Sequence, residues 1–381
     1  MNSFADCRIS PFPIQQDGGQ DIARLIITVD QQRIIRIGGA EIAPGERESV
    51  VLPVADLSIR VPITMPVHVI NGRTEGPRLF VCAAIHGDEI NGVEIIRRVV
   101  KLSALKRLRG ALIAVPIVNV PGFLNLSRYL PDRRDLNRSF PGSATGSLAA
   151  RLARMFLDQV VSNATHGIDL HTGAVHRDNY PQIRVNLDDP QAEHMARAFS
   201  VPLVINAGFR QGSLRAAANE LGVPVIVYEA GEALRFDESS IRAGVKGVTR
   251  VMRSLGMLGH REGAAPAHAP LILRSSHWVR APCSGVVRAS RPVGVKIRKG
   301  DVLAIVSDPL GEMDTTIKSP TDGVIVGRSN LPLVHEGDAL FNIAHTVGTQ
   351  VVAKALDDFD PLEEYESGST KELAQAEPQI V

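Results

Sequence analysis

Residues 80–98 read FVCAAIHGDEINGVEIIRR. The first six form an apolar run rich in strand formers, and His86-Gly87-Asp88-Glu89 breaks it. From Glu89 to about Lys101, Ile90, Val93, Ile96 and Val100 recur at helical spacing. A buried strand, a polar turn and an amphipathic helix, in that order, are the repeating unit of an α/β sheet. Ligands of such sheets bind outside the carboxyl ends of the strands. A histidine and two carboxylates at this turn are therefore candidates for chemistry.

The same alternation extends in both directions. ITMPVHVING (63–72) and GPRLFVCAAI (76–85) precede the turn as strands, and GALIAVPIVN (110–119) follows as another. Ser147 can cap a helix through LAARLARMFLDQVVSNA, and HGIDLHTG (166–173) is the next strand. SVPLVINAG leads to a helix over SLRAAANELG, ended by Gly222, and then to the strand VPVIVYEAGE. A final helix, about 238–255, stops at Gly256. The pattern predicts an open mixed sheet flanked by helices over residues 48–259.

Residues 1–47 form a strand-rich preface, with IARLIITVD and QRIIRIGG as β-branched runs and APGE as a turn. Residues 260–274 open on HREGAAPAHAP, rich in alanine, proline and glycine, and are expected to be a linker. Only short strands follow. VRAPCSGVVRA…VKIRKGDVLAIV and IKSPTDGVIVG…LVHEGDALFNIA echo each other, each with a Pro-x-x-Gly-Val turn and a later Gly-Asp turn. Residues 275–346 are therefore expected to be a small all-β domain of two similar halves, barrel-sandwich-like. Residues 347–381 contain DDFDPLEEYESG, and an acidic, mobile tail is expected.

Composition removes several function classes. The 381 residues carry a formal net charge of +1 and only 4% aromatic residues, so neither a basic surface nor a stacking platform for nucleic acid is implied. Cys7, Cys82 and Cys283 are odd in number and far apart, which argues against a disulfide framework or a cysteine-based zinc knuckle. The opening MNSFADCRIS lacks the pattern of a signal peptide, and no apolar run approaches the ~20 residues of a membrane span. A cytoplasmic protein with no membrane partner is expected.

Four polar signatures fall where strands should end: HGDE (86–89), DLNRSFPG (135–142), DLHTG (169–173) and YEAGE (228–232). His86 and Glu89, three apart at a strand-to-helix turn, can face one point, and His171 can supply a third ligand. Two imidazoles and one carboxylate form a catalytic zinc set that leaves a position for water. Glu229 would be the base acting on that water, since zinc lowers the pKa of bound water to about 7 in the best-studied case. Glu232 is the alternative base. Asp88 is expected to cap the following helix, and Asp169 to orient His171. Tyr228 alternates with Glu229 and should face the other way and pack. His68, His176, His194 and His260 lack ligand spacing and are read as structural or solvated.

His86-Gly-Asp-Glu89, Asp135-Leu-Asn-Arg138, Asp169-Leu-His171 and the strand ending in Glu229, in that order, resemble the succinylglutamate desuccinylase/aspartoacylase family. That family belongs to the wider zinc carboxypeptidase group. The resemblance covers roughly residues 50–345. It implies one zinc per chain on His86, Glu89 and His171, with Glu229 as general base and then general acid. Asn137 and Arg138 would bind the substrate carboxylate through the guanidinium fork. An upstream arginine would polarise the scissile carbonyl. Arg128 is favoured by its ten-residue spacing from Arg138, and Arg134 competes. Arg177, Asn179, Gln182 and Arg184 follow the third ligand closely. Gln182, Arg184 and Asn186 share one strand face, which is expected to line the substrate site.

The activity implied is hydrolysis of an amide in an N-acyl amino acid or short peptide. A carboxypeptidase-like peptidase and a non-catalytic ligand-binding module are the alternatives, and a homo-oligomer remains open. The C-terminal module also resembles biotinyl/lipoyl-like carriers. Its comparable segment, LGEMDTTIKSP, has no lysine at the tip, so a wall or lid of the site or an oligomer contact is expected instead.

Overall fold

The computed structural model describes residues 33–56, 60–259 and 270–345. The run IARLIITVD, His260, the proline-rich stretch 260–269 and the tail 347–381 lie outside the described residues. Among those described, no helix is long and apolar enough to cross a membrane.

A short hairpin comes first, β1 (Ile35–Ile37) paired antiparallel with β2 (Ala40–Ile42), and the expected turn follows at 43–46. The central sheet is then built from β3 (Arg47–Asp56), β4 (Pro62–Asn71), β5 (Thr74–Ala83), β6 (Arg109–Val115), β7 (His166–Gly173), β8 (Arg177–Val185), β9 (Leu203–Asn206) and β10 (Val225–Glu232). Their spatial order is β3-β4-β6-β5-β7-β10-β8, with β9 also paired to β8. β5 runs parallel to β6 on one side and to β7 on the other, and β10 is parallel to β7. The chain leaves β5 towards one neighbour and later returns on the opposite side. This is a topological switch point, where an α/β sheet opens a crevice.

The apolar run that opened the sequence is buried on both faces because helices cover both. Leu79, Val81 and Ala83 of β5 join one core with Ile95, Phe199, Tyr228 and Val248. Phe80 and Cys82 point into the other, with Ile113, Phe156 and Leu214. This period-2 alternation between two cores explains why the strand reads as continuously apolar. Helices Asn91–Val99, Pro190–Phe199 and Glu238–Ser254 contribute buried residues to the first core, and Leu148–Gln159 and Leu214–Glu220 to the second.

Ser147 caps its helix as expected, accepting from the Ala150 amide at 3.3 Å, and Ser213 does the same for Ala216 at 3.2 Å. The helix after the polar turn differs from the sequence reading. It begins at Asn91, its N-cap residue is Ile90, and no side chain caps it. Asp88 is therefore not the cap; it is 2% exposed, and its Oδ1 has no hydrogen-bond partner. Ile95, Ile96 and Val99 form the buried apolar stripe, while Ile90, Val93 and Val100 are half-buried.

The C-terminal strands are β11 (Leu271–Leu273), β12 (Ser276–Arg280), β13 (Gly285–Ala289), β14 (Lys296–Ile297), β15 (Val302–Ser307), β16 (Asp314–Lys318), β17 (Gly323–Ser329), β18 (Leu333–Val334) and β19 (Ala339–His345). The echo in the sequence has a structural counterpart. β13 pairs with β15 in a four-stranded sheet, and β17 pairs with β19 in the other layer. Leu303 and Val306 from the first layer pack with Ile325, Phe341 and Ile343 from the second. Gly300 and Gly337 occupy equivalent turns at φ 92° and 86°.

These layers are continuous with the central sheet. β17 pairs antiparallel with β8 through Gly327↔Asn179, Arg328↔Asp178 and Ser329↔Arg177, and β11 pairs parallel with β9. The described strands thus include one hydrogen-bonded sheet of 13.

Candidate active site

The site is assembled at the carboxyl ends of three adjacent parallel strands. Cys82 of β5 is in register with Asp169 of β7, and His171 of β7 with Glu229 of β10. Beyond β5 the chain turns sharply, with Ala84 at φ 50°, a conformation that non-glycine residues adopt rarely. A Cβ on Gly87 would lie 2.1 Å from the Gly122 carbonyl carbon, so only glycine lets the turn sit against the helix Val120–Leu124. His86 and Glu89 are thereby brought back over the end of β7.

His86, Glu89 and His171 each offer one ligand atom, and these atoms lie within 4.8 Å of one another. Their relative exposures are 4%, 2% and 6%. Both imidazoles direct Nδ1 at the Glu89 carboxylate: His86 at 2.7 Å from Oε1 and His171 at 2.7 Å from Oε2. Their Nε2 atoms contact other carboxylates, Asp135 Oδ1 at 3.2 Å and Asp169 Oδ2 at 2.8 Å respectively. The Nδ1 atoms thus share the inner face with Glu89, while outer carboxylates fix the ring orientations. Such a donor set of two nitrogens and one carboxylate suits zinc.

The local electrostatics follow from this crowding. Burial opposes ionisation of Glu89, but the charges of His86 and His171 outweigh it and hold its carboxyl far below the usual range. Burial likewise opposes protonation of His171, yet Asp169 and Glu89 raise its pKa well above the ordinary value. Asp135 is depressed despite burial, through His86 and Arg128. Charge of both signs is buried here only because each group has a counter-charge.

Arg128 bridges the site, with Nη1 3.0 Å from Glu89 Oε1 and Nη2 3.1 Å from Asp135 Oδ2. Arg134 is exposed and does not line the pocket, so of the two candidates only Arg128 reaches it. Asn137 follows Asp135, whose Oδ1 accepts from the Asn137 amide at 2.8 Å. The Asn137 Oδ1 accepts from the Leu214 amide at 2.9 Å, anchoring the loop to the start of the helix Leu214–Glu220. Arg138 lines the pocket beside it and donates to the Asn137 carbonyl.

Glu229 faces the same cavity, whose volume is about 340 Å³. Its Oε2 accepts from Asn179 Nδ2 at 2.7 Å. Its Oε1 lies 3.1 Å from Arg184 Nε, but that Nε–H has no aligned acceptor, so the contact is Coulombic rather than a directed hydrogen bond. Tyr228 points away as expected, 1% exposed, with its hydroxyl donating to the Ser240 carbonyl at 2.8 Å. Glu232, the alternative base, lies outside the lining and accepts from the His176 amide and Asn330 Nδ2. Gln182 is also absent from the lining. It is fully buried and donates to the Val326 carbonyl at 3.3 Å, because β17 covers that end of β8.

Several lining residues carry no signal in the sequence. Arg210 and Arg215 enter from the segment before and within the helix Leu214–Glu220, and Trp278 enters from β12. Arg177 stacks over the Trp278 ring at 5.1 Å. Arg215 donates to the Gly208 carbonyl at 2.8 Å, its Nη1 has no partner, and burial beside Arg184 lowers its pKa to about 10. The SLR stretch reads only as a helix start, so its arginine could not be placed from spacing.

Residues 75–255 match the succinylglutamate desuccinylase/aspartoacylase catalytic domain. That match spans the polar turn, both histidines, the Asn-Arg pair and Glu229, and the chain resembles this family. A relative from Halomonas elongata, N-alpha-acetyl-L-2,4-diaminobutyric acid deacetylase, is 26% identical over 299 residues, 75% of this chain and 86% of the relative. Two solved structures share the fold. The product-bound ectoine utilization protein EutE (DoeB) from Ruegeria pomeroyi superposes with a TM-score of 0.71 at 23% identity, covering 80% of this chain and 97% of that one. A succinylglutamate desuccinylase/aspartoacylase from Rhodobacter sphaeroides gives 0.70 at 23% identity, covering 79% and 96%. The shared fold agrees with a mixed α/β sheet flanked by helices.

Proposed function

We propose that the protein is a zinc-dependent amidohydrolase that removes the acyl group from an N-acyl amino acid. The observation that carries this reading is the convergence of His86, Glu89 and His171 in one cavity with Glu229, which is in register with His171 on the adjacent strand. Zinc held by those three side chains would supply an acidified water and polarise the scissile carbonyl.

The chain's own groups do the rest. Glu229 takes the proton from the attacking water at a carboxylate oxygen and returns it to the leaving nitrogen, so the amine departs neutral. Arg128, held by Glu89 and Asp135, presents a fixed guanidinium to the carbonyl oxygen as charge develops there. Asp135 and Asp169 hold the two imidazoles and set which ring nitrogen faces inward. Asn137 and Arg138 bind the α-carboxylate of the amino acid. Arg184 sits beside Glu229 and contributes positive charge to the substrate site.

The charge of the cavity narrows the substrate. Arg128, Arg138, Arg177, Arg184, Arg210 and Arg215 line it, against Glu89, Asp169 and Glu229. Glu89 belongs to the metal set and Asp169 is paired with His171, so the remaining wall is cationic. Burial, with the charges of Arg210 and Arg128 set against Asp135, lowers the Arg138 pKa. An anionic substrate relieves that repulsion. The Halomonas relative acts on a diaminobutyrate derivative, whose side chain is cationic; this cavity favours an acyl or side chain that adds negative charge. Residues 48–259 carry the chemistry in this reading, and Trp278 of β12 adds to the cavity wall from the C-terminal strands.

Metal analysis of the purified protein, followed by amine release from a panel of N-acyl amino acids with and without chelator, tests the proposal. One zinc per chain and chelator-sensitive release, fastest for acidic substrates, are expected. Absence of bound metal together with chelator-insensitive binding would leave the ligand-binding alternative. Faster release from peptides with a free C-terminus would favour the peptidase.

A further inference from the structure

We propose that Asn179 is the positioning residue for Glu229, and that β17 of the C-terminal layers sets its place. The inference rests on the reading of Glu229 as the proton-transfer group.

Asn179 is 9% exposed and donates from Nδ2 to Glu229 Oε2 at 2.7 Å. The torsion at the end of a glutamate side chain is broad, so an unanchored carboxylate samples many orientations. The other oxygen has only the unaligned Arg184 contact described above. The Asn179 amide is therefore the directed bond that fixes the carboxylate plane. A proton-transfer group must be held in a near-attack geometry, and a small misplacement costs orders of magnitude in rate.

Asn179 is in turn held from both sides by strands without side chains at its level. It pairs in register with Gly231 of β10 and with Gly327 of β17. A Cβ on Gly327 would lie 2.7 Å from Asn179 Oδ1, closer than real Cβ contacts come. Gly327 itself is not in the cavity lining. The C-terminal layers thus reach the reacting carboxylate through one backbone approach and one amide, without touching substrate at that point. An added methyl at 327 would displace Asn179 and release Glu229.

The test uses full-length, metal-loaded protein and the N-acyl amino acid that the wild type hydrolyses fastest. Expected for Asn179→Ala is a ~10–100-fold lower kcat, KM within about threefold and unchanged metal content. Gly327→Ala is expected to lower kcat by roughly 3–10-fold, and the double variant to be no slower than Asn179→Ala, because the methyl acts only through the amide. A kcat for Asn179→Ala within twofold of wild type, a loss confined to KM, or losses that multiply in the double variant would overturn the proposal. Should Gly327→Ala fail to fold, the kcat-against-KM split of Asn179→Ala decides alone. Glu229→Gln separates the two levels. Retained turnover in that variant overturns both readings, whereas an inactive Glu229→Gln beside a fully active Asn179→Ala overturns only this one.

Discussion

The Nε2 of His171 lies 2.8 Å from Oδ2 of Asp169, two residues earlier on the same strand. Residues i and i+2 share a strand face, so β7 delivers both a metal-ligand candidate and the carboxylate that orients it. Asp169 Oδ1 is in turn 3.4 Å from the Cys82 thiol on the neighbouring strand. Asp169→Asn removes the negative charge that makes His171 a stronger donor. Zinc affinity is expected to fall ~10–100-fold, read by chelator competition. An affinity within twofold of wild type would detach Asp169 from that role.

Arg128 and Arg134 both stand upstream of the Asn-Arg pair, and the structure brings only the first to the cavity. Arg128→Ala removes the guanidinium proposed to meet the developing negative charge and should lower kcat by ~10²–10³-fold. Arg134→Ala, on an exposed loop, should leave kcat and KM within about twofold. Steady-state kinetics on the two variants settle the assignment, and equal losses would show that the loop rearranges on substrate binding.

The legible parts of the fold were those fixed by local periodicity and capping. β5, β7 and β10 are apolar runs ended by polar residues, and Ser147 and Ser213 signal their helices directly. The His86, Glu89 and His171 cluster was legible because its members lie at or just beyond the ends of two such runs. Asp88 misled because an aspartate before a helical pattern usually caps it, whereas here the turn is longer and Ile90 occupies the cap. Gln182 misled because alternation places it on the face of Arg184, but β17 covers it, and strand pairing across some 140 residues leaves no local trace. Arg210, Arg215 and Trp278 were invisible for the same reason: they reach the cavity through tertiary packing alone.

Arg215 tests the charge reading of the substrate. Its Nη1 has no partner and lines a cationic wall. Arg215→Met, which keeps bulk and removes charge, should raise KM for a substrate with a second carboxylate by ~10-fold or more. For a neutral acyl amino acid the change should stay within about threefold, since a charge-assisted pair is worth roughly 1.5–3 kcal/mol. Equal effects on both substrates would place the second carboxylate elsewhere.

Asp178 gives a pH dependence separate from the metal site. It faces Arg328 in register where β8 meets β17. Burial, followed by the negative charge of Asp237 and then Glu232 against the help of Arg328, raises its pKa from 3.8 to about 6. The folded state thus binds this proton more tightly than the unfolded chain. The stabilisation is complete below the unfolded value of 3.8 and is lost as pH rises through about 6. Asp178 is half-buried, so solvent screening reduces the effect to on the order of 1 kcal/mol. Asp178→Asn should therefore melt ~2–4 °C higher than wild type at pH 7.5, with the gap closing towards pH 4. Thermal unfolding at the two pH values checks it; a variant that melts below wild type at pH 7.5, with the deficit shrinking towards pH 4, would reverse the sign and assign Asp178 a stabilising ionised pair with Arg328.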